Sequence, residues 1–249
     1  MKFNFSANTG YLWTDRPFFE RIRMAKLHGF HSIEFHDEPH SQDLQALKTL
    51  LSILELPVNT MNTRMGDSFG CAAFPDQRLR AEKELLDAIR IAEDIGAKAL
   101  HILAGVTQDT PSAYEAFTEN LEYALENSKI QIVIEPICEE QLSGYFLKSL
   151  TQAAQILDGI NNPRLKIMFD CYHVFRQSGD VLKNFAKYVD KIGYVQISAA
   201  ELRAEPFKGA LDYSFLLPQF QALGYKGPLG CEYRPKNKTE DGLSWRDQF

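Results

Sequence analysis

Short runs of β-branched and apolar residues alternate along the chain with longer stretches whose apolar positions recur every three to four residues. The first kind reads as buried strands and the second as amphipathic helices packed on them. The strand runs are Lys2–Ala7, Ser32–Phe35, Pro57–Met61, Lys98–Leu103, Ile130–Glu135, Leu165–Asp170, Ile192–Ile197 and Pro228–Glu232. The helical stretches between them run from Pro17 to Leu27, Ser41 to Glu55, Gln77 to Ile95, Tyr114 to Glu126, Ser149 to Ile160, Val181 to Val189 and Tyr213 to Leu223. Strict strand–helix alternation predicts a parallel sheet with helical crossovers. About eight such units in 249 residues favour a closed (β/α)8 TIM barrel, one α/β domain over residues 1–249, above an open doubly wound sheet. No glycine-rich phosphate fingerprint opens any helix. The tail, residues 233–249, contains Trp245 and is expected to pack on the barrel mouth or on a partner subunit, so a homo-oligomer is left open.

Polar residues interrupt this pattern at the carboxyl ends of the later strands. The run Ile130-Gln131-Ile132-Val133-Ile134 ends on Glu135-Pro136, and proline closes a ladder. Side chains alternate along a strand. Glu135 therefore shares a face with Val133 and Gln131, Asp170 with Met168, Gln196 with Tyr194, and Glu232 with Gly230. The opposite sets, such as Ile130, Ile132 and Ile134, are apolar and suit packing against helices. The polar sets then point into the barrel and meet at its carboxyl-end mouth, where such barrels place their sites. Clustered carboxylates repel one another, and a divalent cation resolves that repulsion. An all-oxygen shell of Glu135, Asp170, Gln196 and Glu232 favours Mg2+ or Mn2+ over Zn2+. The competing reading pairs the acids with Lys166 or Arg203 inside the barrel.

Composition narrows the partners. The formal net charge is -6 with no basic run, which argues against nucleic acid or an anionic membrane. No apolar stretch is long enough for a bilayer, and no signal-peptide core follows Met1, so a cytoplasmic location is expected. Cys71, Cys138, Cys171 and Cys231 form no CxxC pair and read as reduced thiols. The long loop from Asn62 to Pro75 reads as a lid or substrate wall. The run His36-Asp37-Glu38-Pro39-His40 is a lesser metal candidate, because tandem loop residues seldom converge without a scaffold.

Several segments together resemble the xylose isomerase-like barrels, and most closely the hydroxypyruvate isomerase group. They are Ile33-Glu34-Phe35, His101-Ile102-Leu103-Ala104-Gly105-Val106, Ile134-Glu135-Pro136, Phe169-Asp170-Cys171-Tyr172-His173, Tyr194-Val195-Gln196-Ile197 and Gly230-Cys231-Glu232-Tyr233-Arg234-Pro235, with the tail Thr239–Trp245. The resemblance implies that Glu135, Asp170, Gln196 and Glu232 hold a divalent metal. It also implies that Glu135 and Glu232 move the proton and that His101 and His173 line the substrate pocket. Arg203 is a candidate partner for a substrate carboxylate, which suits its planar fork. The implied activity is an aldose–ketose type isomerisation of a small α-hydroxy carbonyl acid such as hydroxypyruvate, through an enediolate. A 2-oxo-tetronate isomerase, a sugar 3-epimerase and a non-catalytic ligand-binding barrel are the alternatives. An apurinic-site endonuclease is disfavoured, since it needs further histidine ligands and Gln196 stands where one would be. The chain departs from the group at Ala204 and Ala210, where histidine and glutamate are usual.

Overall fold

The computed structural model describes residues 3–249. Its eight strands are β1 (Phe5–Asn8), β2 (Ser32–Glu34), β3 (Thr60–Asn62), β4 (Ala99–His101), β5 (Gln131–Ile134), β6 (Leu165–Asp170), β7 (Ile192–Ile197) and β8 (Leu229–Cys231). They pair in parallel in the order β2-β1-β8-β7-β6-β5-β4-β3. The β2–β3 seam closes through the Ile33–Val58 bridge and single bonds such as Phe35 N–H to the Thr60 carbonyl at 3.0 Å. The result is a nearly closed TIM barrel. Most ladders are shorter than the apolar runs, because residues such as Ile102 and Leu103 stay buried beyond the last paired residue. Lys2, the expected start of the first strand, lies outside the described residues.

The helices are α1 (Phe18–Leu27), α2 (Leu44–Leu54), α3 (Arg78–Asp94), α4 (Pro111–Asn127), α5 (Leu150–Ile160), α6 (Cys171–Ser178), α7 (Val181–Tyr188) and α8 (Tyr213–Ala222). Their starts follow from capping chemistry. Asp43, Thr110, Ser149, Asp170, Asp180 and Asp212 each accept a backbone N–H of the following first turn, a contact contributing about 1 kcal/mol. Pro111 sits at the first position of α4, so that helix begins three residues before the expected Tyr114. The periodicity did not predict α6, which starts on the residue after β6.

Strand alternation divides the core as the sequence implies. Ala99, Val133, Met168 and Tyr194 form a separate apolar layer inside the barrel. Ile132, Ile134, Ile167, Phe169, Val195, Leu229 and Cys231 belong to the large outer core under the helices. The tail begins at the mouth, where Thr239 Oγ1 accepts the Trp13 N–H at 2.7 Å and Glu240 accepts the Trp13 indole N–H at 3.0 Å. It then runs down the outer wall as a 3₁₀ segment, Thr239–Gln248, to the base. There Trp245 stacks edge-on against Phe5, and Arg246 bonds the His28 carbonyl. It fills the place of the helix that would follow β8. Among the described residues no helix is long and apolar enough to cross a membrane.

Candidate active site

The carboxyl ends of the strands frame one cavity. Its floor holds His101, Glu135, His173, Arg203 and Glu232, and Tyr11, Met65, Phe69, Ile137 and Leu142 form its walls. Met65 and Phe69 come from the long loop after β3, whose Met65 N–H is held by Asp37 Oδ2 at 2.9 Å. Glu135, Asp170 and His173 are each buried and each bring one ligand atom to a place where all three lie within 4.8 Å of one another.

Glu135 follows β5 and Pro136 turns the chain away. Its Oε1 is buried with no hydrogen-bond partner. Burial, reinforced by the charges of Glu232 and Asp170, pushes its pKa well up. The neighbouring His101 bonds Asn62 Oδ1 through Nδ1 at 3.1 Å. Only a donor suits that oxygen, so Nδ1 carries the proton and Nε2 offers a lone pair, 3.9 Å from Glu135 Oε2 and otherwise unpartnered. Burial lowers the His101 pKa to about 4 and keeps the ring neutral.

Arg203 reaches into the same floor from the loop after β7. Its Nη2 donates to Asp170 Oδ2 at 2.5 Å and to Glu232 Oε2 at 2.6 Å, its Nη1 lies 2.9 Å from His173 Nε2, and its Nε donates to the Glu232 carbonyl at 3.3 Å. A guanidinium only donates, so His173 Nε2 accepts. Its Nδ1 faces Cys138, whose backbone N–H lies 3.3 Å and whose Sγ lies 3.2 Å away. Burial, then the Arg203 charge, hold the His173 pKa well down. Of the two competing sequence readings for the acids, Arg203 does pair with them, whereas Lys166 instead bonds the Asp190 carbonyl outside the site.

The turn that delivers Arg203 is strained. Leu202 and Arg203 have φ of 55° and 52° in succession, a left-handed conformation that costs a non-glycine residue about 1–2 kcal/mol. Leu202 is 85% exposed, so its side chain returns little. Leu202→Gly is expected to stabilise the protein by about 1 kcal/mol, read as a higher urea midpoint. A lower midpoint would show that the Leu202 side chain makes contacts that matter.

Glu232 is gripped on both oxygens. Arg203 holds Oε2, while His36 Nε2 lies 2.9 Å and Asn8 Nδ2 3.3 Å from Oε1. Burial alone would raise its pKa, but Arg203 and His36 outweigh it and bring it to about 2. Gly10 makes room for His36, since a Cβ there would lie 2.1 Å from the imidazole Nδ1. Asn8 also donates to Glu34 Oε1 at 3.1 Å, and Gln196 Nε2 donates to the same oxygen at 3.4 Å. This leaves Gln196 Oε1 buried and unpartnered. Burial, then the charge of Glu232, push the fully buried Glu34 up to about 8.

The predicted residues thus fall into two groups. Glu135, Asp170 and His173 come together directly, with His101 beside them. Glu232 is joined to Asp170 through Arg203, and Gln196 is joined to Glu232 through Glu34 and Asn8. Sequence reasoning passed over Asn8 and Glu34 as site residues and weighed His36 only as part of a separate metal candidate, the 36–40 run. The inward-facing parity of β1 and β2 carried the signal for the first two. The remainder of the 36–40 run does not converge: His40 Nε2 pairs with the Asn62 carbonyl, and Asp37 holds the Met65 amide.

Comparison with known proteins agrees with the barrel fold. The sequence matches the family described as xylose isomerase-like TIM barrel over residues 22–249. It is 32% identical to hydroxypyruvate isomerase of Escherichia coli (strain K12), covering 98% of each chain. It is 31% identical to 2-oxo-tetronate isomerase of Cupriavidus necator, over 97% of this chain and 96% of that one. The crystal structure of an AP endonuclease, family 2, from Brucella melitensis superimposes with a TM-score of 0.94 at 29% identity, covering 99% of this chain and 98% of that one. A nearly closed barrel, a site at its carboxyl-end mouth and full-length likeness together place this chain in the hydroxypyruvate isomerase family of xylose isomerase-like TIM barrels.

Proposed function

We propose that the protein is a metal-dependent isomerase acting on a small α-hydroxy carbonyl acid, interconverting hydroxypyruvate and 2-hydroxy-3-oxopropanoate or a four-carbon 2-oxo-tetronate analogue. The observation that carries this reading is that two glutamates on one cavity have opposite surroundings: Glu135 Oε1 is buried without a donor, whereas Arg203 and His36 grip both oxygens of Glu232. Burial and the neighbouring carboxylates push the Glu135 pKa up, while Arg203 and His36 hold that of Glu232 down. Environments that push two titratable groups apart assign the acid and the base. Glu232 takes the proton from C3 of the substrate, giving an enediolate. Glu135 returns a proton at C2, and the hydroxyl hydrogen on O3 moves to O2. His101 Nε2 turns its lone pair towards the Glu135 carboxyl, 3.9 Å from Oε2, and favours the protonated form of that group.

The residues suit a divalent cation. Glu135 Oε1 and Gln196 Oε1 are buried acceptors without donors, and Glu135, Asp170 and His173 are already clustered. These three would hold the ion, with Gln196 and Glu232 completing its shell. Two carboxylates with one imidazole make Mn2+ the first ion to test, ahead of Mg2+. When bound, the ion supplies Lewis-acid polarisation of the substrate carbonyl. The walls of Met65, Phe69, Ile137 and Leu142 exclude water from the enediolate.

The test is incubation with hydroxypyruvate and Mn2+ or Mg2+ in D2O, followed by NMR. Aldehyde product carrying deuterium at C2, with exchange at C3 of the remaining hydroxypyruvate, is expected. No uptake with hydroxypyruvate or a 2-oxo-tetronate would remove this reading and leave the 3-epimerase and binding-only alternatives.

A further inference from the structure

We infer that Glu34 is a positioning residue of this site: its buried carboxyl holds the side-chain amides of Asn8 and Gln196, so that Gln196 presents its oxygen as a metal ligand and Asn8 presents an N–H to the base Glu232. This rests on the isomerase reading above and specifies what aims two of its groups. The sheet order runs β2-β1-β8-β7, so two strands separate Glu34 on β2 from Gln196 on β7. Glu34 spans them. Its Oε1 accepts Asn8 Nδ2 of β1 at 3.1 Å and Gln196 Nε2 at 3.4 Å. On β8 the residue paired with Gln196 is Gly230. A Cβ there would lie 2.7 Å from both Glu34 carboxyl oxygens and 2.9 Å from Gln196 Cγ. The missing side chain is the space through which Glu34 reaches Gln196.

Donor and acceptor chemistry fixes both amides. Asn8 Oδ1 accepts the Gly10 N–H at 2.9 Å, so its Nδ2 carries the hydrogens that meet Glu34 and, at 3.3 Å, Glu232 Oε1. Gln196 gives Glu34 its NH2 end, which leaves its own Oε1 as the free end, buried and without a donor. Reversing that amide would set Gln196 Oε1 against an oxygen that already accepts Asn8. It would also turn an NH2 group, which cannot ligate a cation, to where the oxygen now stands. Thr60 Oγ1, 3.5 Å from Oε2, and the Tyr194 hydroxyl border the same carboxyl, and each can donate or accept. Glu34 does not line the cavity, so it acts through the two amides. Partners that orient a metal ligand from behind govern affinity or activity by about 10–100-fold.

The experiment uses the full chain with Mn2+ as the probe. Wild type, E34M and E34Q, each checked for folding by circular dichroism, are titrated with Mn2+ by calorimetry and assayed with hydroxypyruvate at saturating Mn2+. E34M keeps the length of the side chain but has no oxygen. It is expected to bind Mn2+ about tenfold more weakly, and to lose kcat by a comparable factor without a matching rise in KM. E34Q keeps an acceptor oxygen and should restore most of both. A purely structural role would lower the urea midpoint of E34M and leave its Mn2+ affinity and kcat in place. A crystal structure of wild type with Mn2+ is independent of any variant: Gln196 Oε1 is expected on the ion and Gln196 Nε2 on Glu34. Wild-type Mn2+ affinity in folded E34M, an E34Q that falls as far as E34M, or a Gln196 amide reversed or detached from Glu34 in the Mn2+-bound crystal overturns the positioning role and leaves the isomerase reading intact. If wild type binds neither Mn2+ nor Mg2+, the metal-dependent reading itself fails and the positioning role falls with it.

Discussion

Glu135→Gln is expected to lower kcat for hydroxypyruvate isomerisation by about three orders of magnitude while leaving the barrel folded and able to bind metal. Glutamine keeps the shape of the side chain and an oxygen lone pair for an ion, but it has no acidic proton to return to C2. Stability should not suffer, because Glu135 makes no close ion pair and its Oε1 is unpartnered in the wild type. Glu232→Gln should lose a comparable factor in kcat for the opposite reason, the loss of an ionised base. It should also cost stability. Arg203 and His36 both lean on that carboxylate, and removing one partner of a buried pair costs a few kcal/mol. The pair of variants therefore separates role from scaffold: similar kinetic defects, different urea midpoints. A kcat within about tenfold of wild type in either variant would take that residue out of the proton path.

What the sequence disclosed depended on whether a feature was periodic. Glu135, Asp170, Gln196 and Glu232 were readable because each continues an alternation whose other face is apolar, and the interior layer of Val133, Met168 and Tyr194 follows that parity. The same test applied to β1 and β2 would have found Asn8 and Glu34, which face inward opposite Ala7 and Ile33. Asn8 has no strand-end proline or motif beside it, and Glu34 enters only through the Ile33-Glu34-Phe35 resemblance. Arg203 was legible as a cation but not in its place, since its position depends on two successive left-handed residues that are not glycine. Local propensity disfavours that turn, and the contacts of the guanidinium offset its cost. Helix α6 escaped because Asp170 ends a strand and caps a helix at once, with its Oδ1 accepting the Tyr172 N–H at 2.7 Å. A periodicity window spanning that junction averages two patterns.

Glu34→Gln is expected to stabilise the protein increasingly as pH rises. Buried Glu34 keeps its proton in the folded state up to about pH 8, against an ordinary value of 4.5. Between those values the unfolded chain binds fewer protons than the folded one, so wild-type stability falls as pH rises through that window. The slope is roughly 1 kcal/mol per pH unit. Glutamine at this position is neutral at every pH, and its amide oxygen can still accept from Asn8 and Gln196. The gain of Glu34→Gln over wild type should therefore be small near pH 5, grow steadily, and level off above pH 8. Glu232 has the opposite sign: lowered to about 2, it contributes stability above pH 4.5 that is lost only as pH falls towards 2. It stays silent in the alkaline window. Urea unfolding of both proteins at pH 5, 6.5 and 8 is the measurement. A gain that does not depend on pH would mean that Glu34 is ionised in the folded protein. The barrel floor would then hold one more negative charge than Arg203 and His36 offset, and a bound cation would be required for stability.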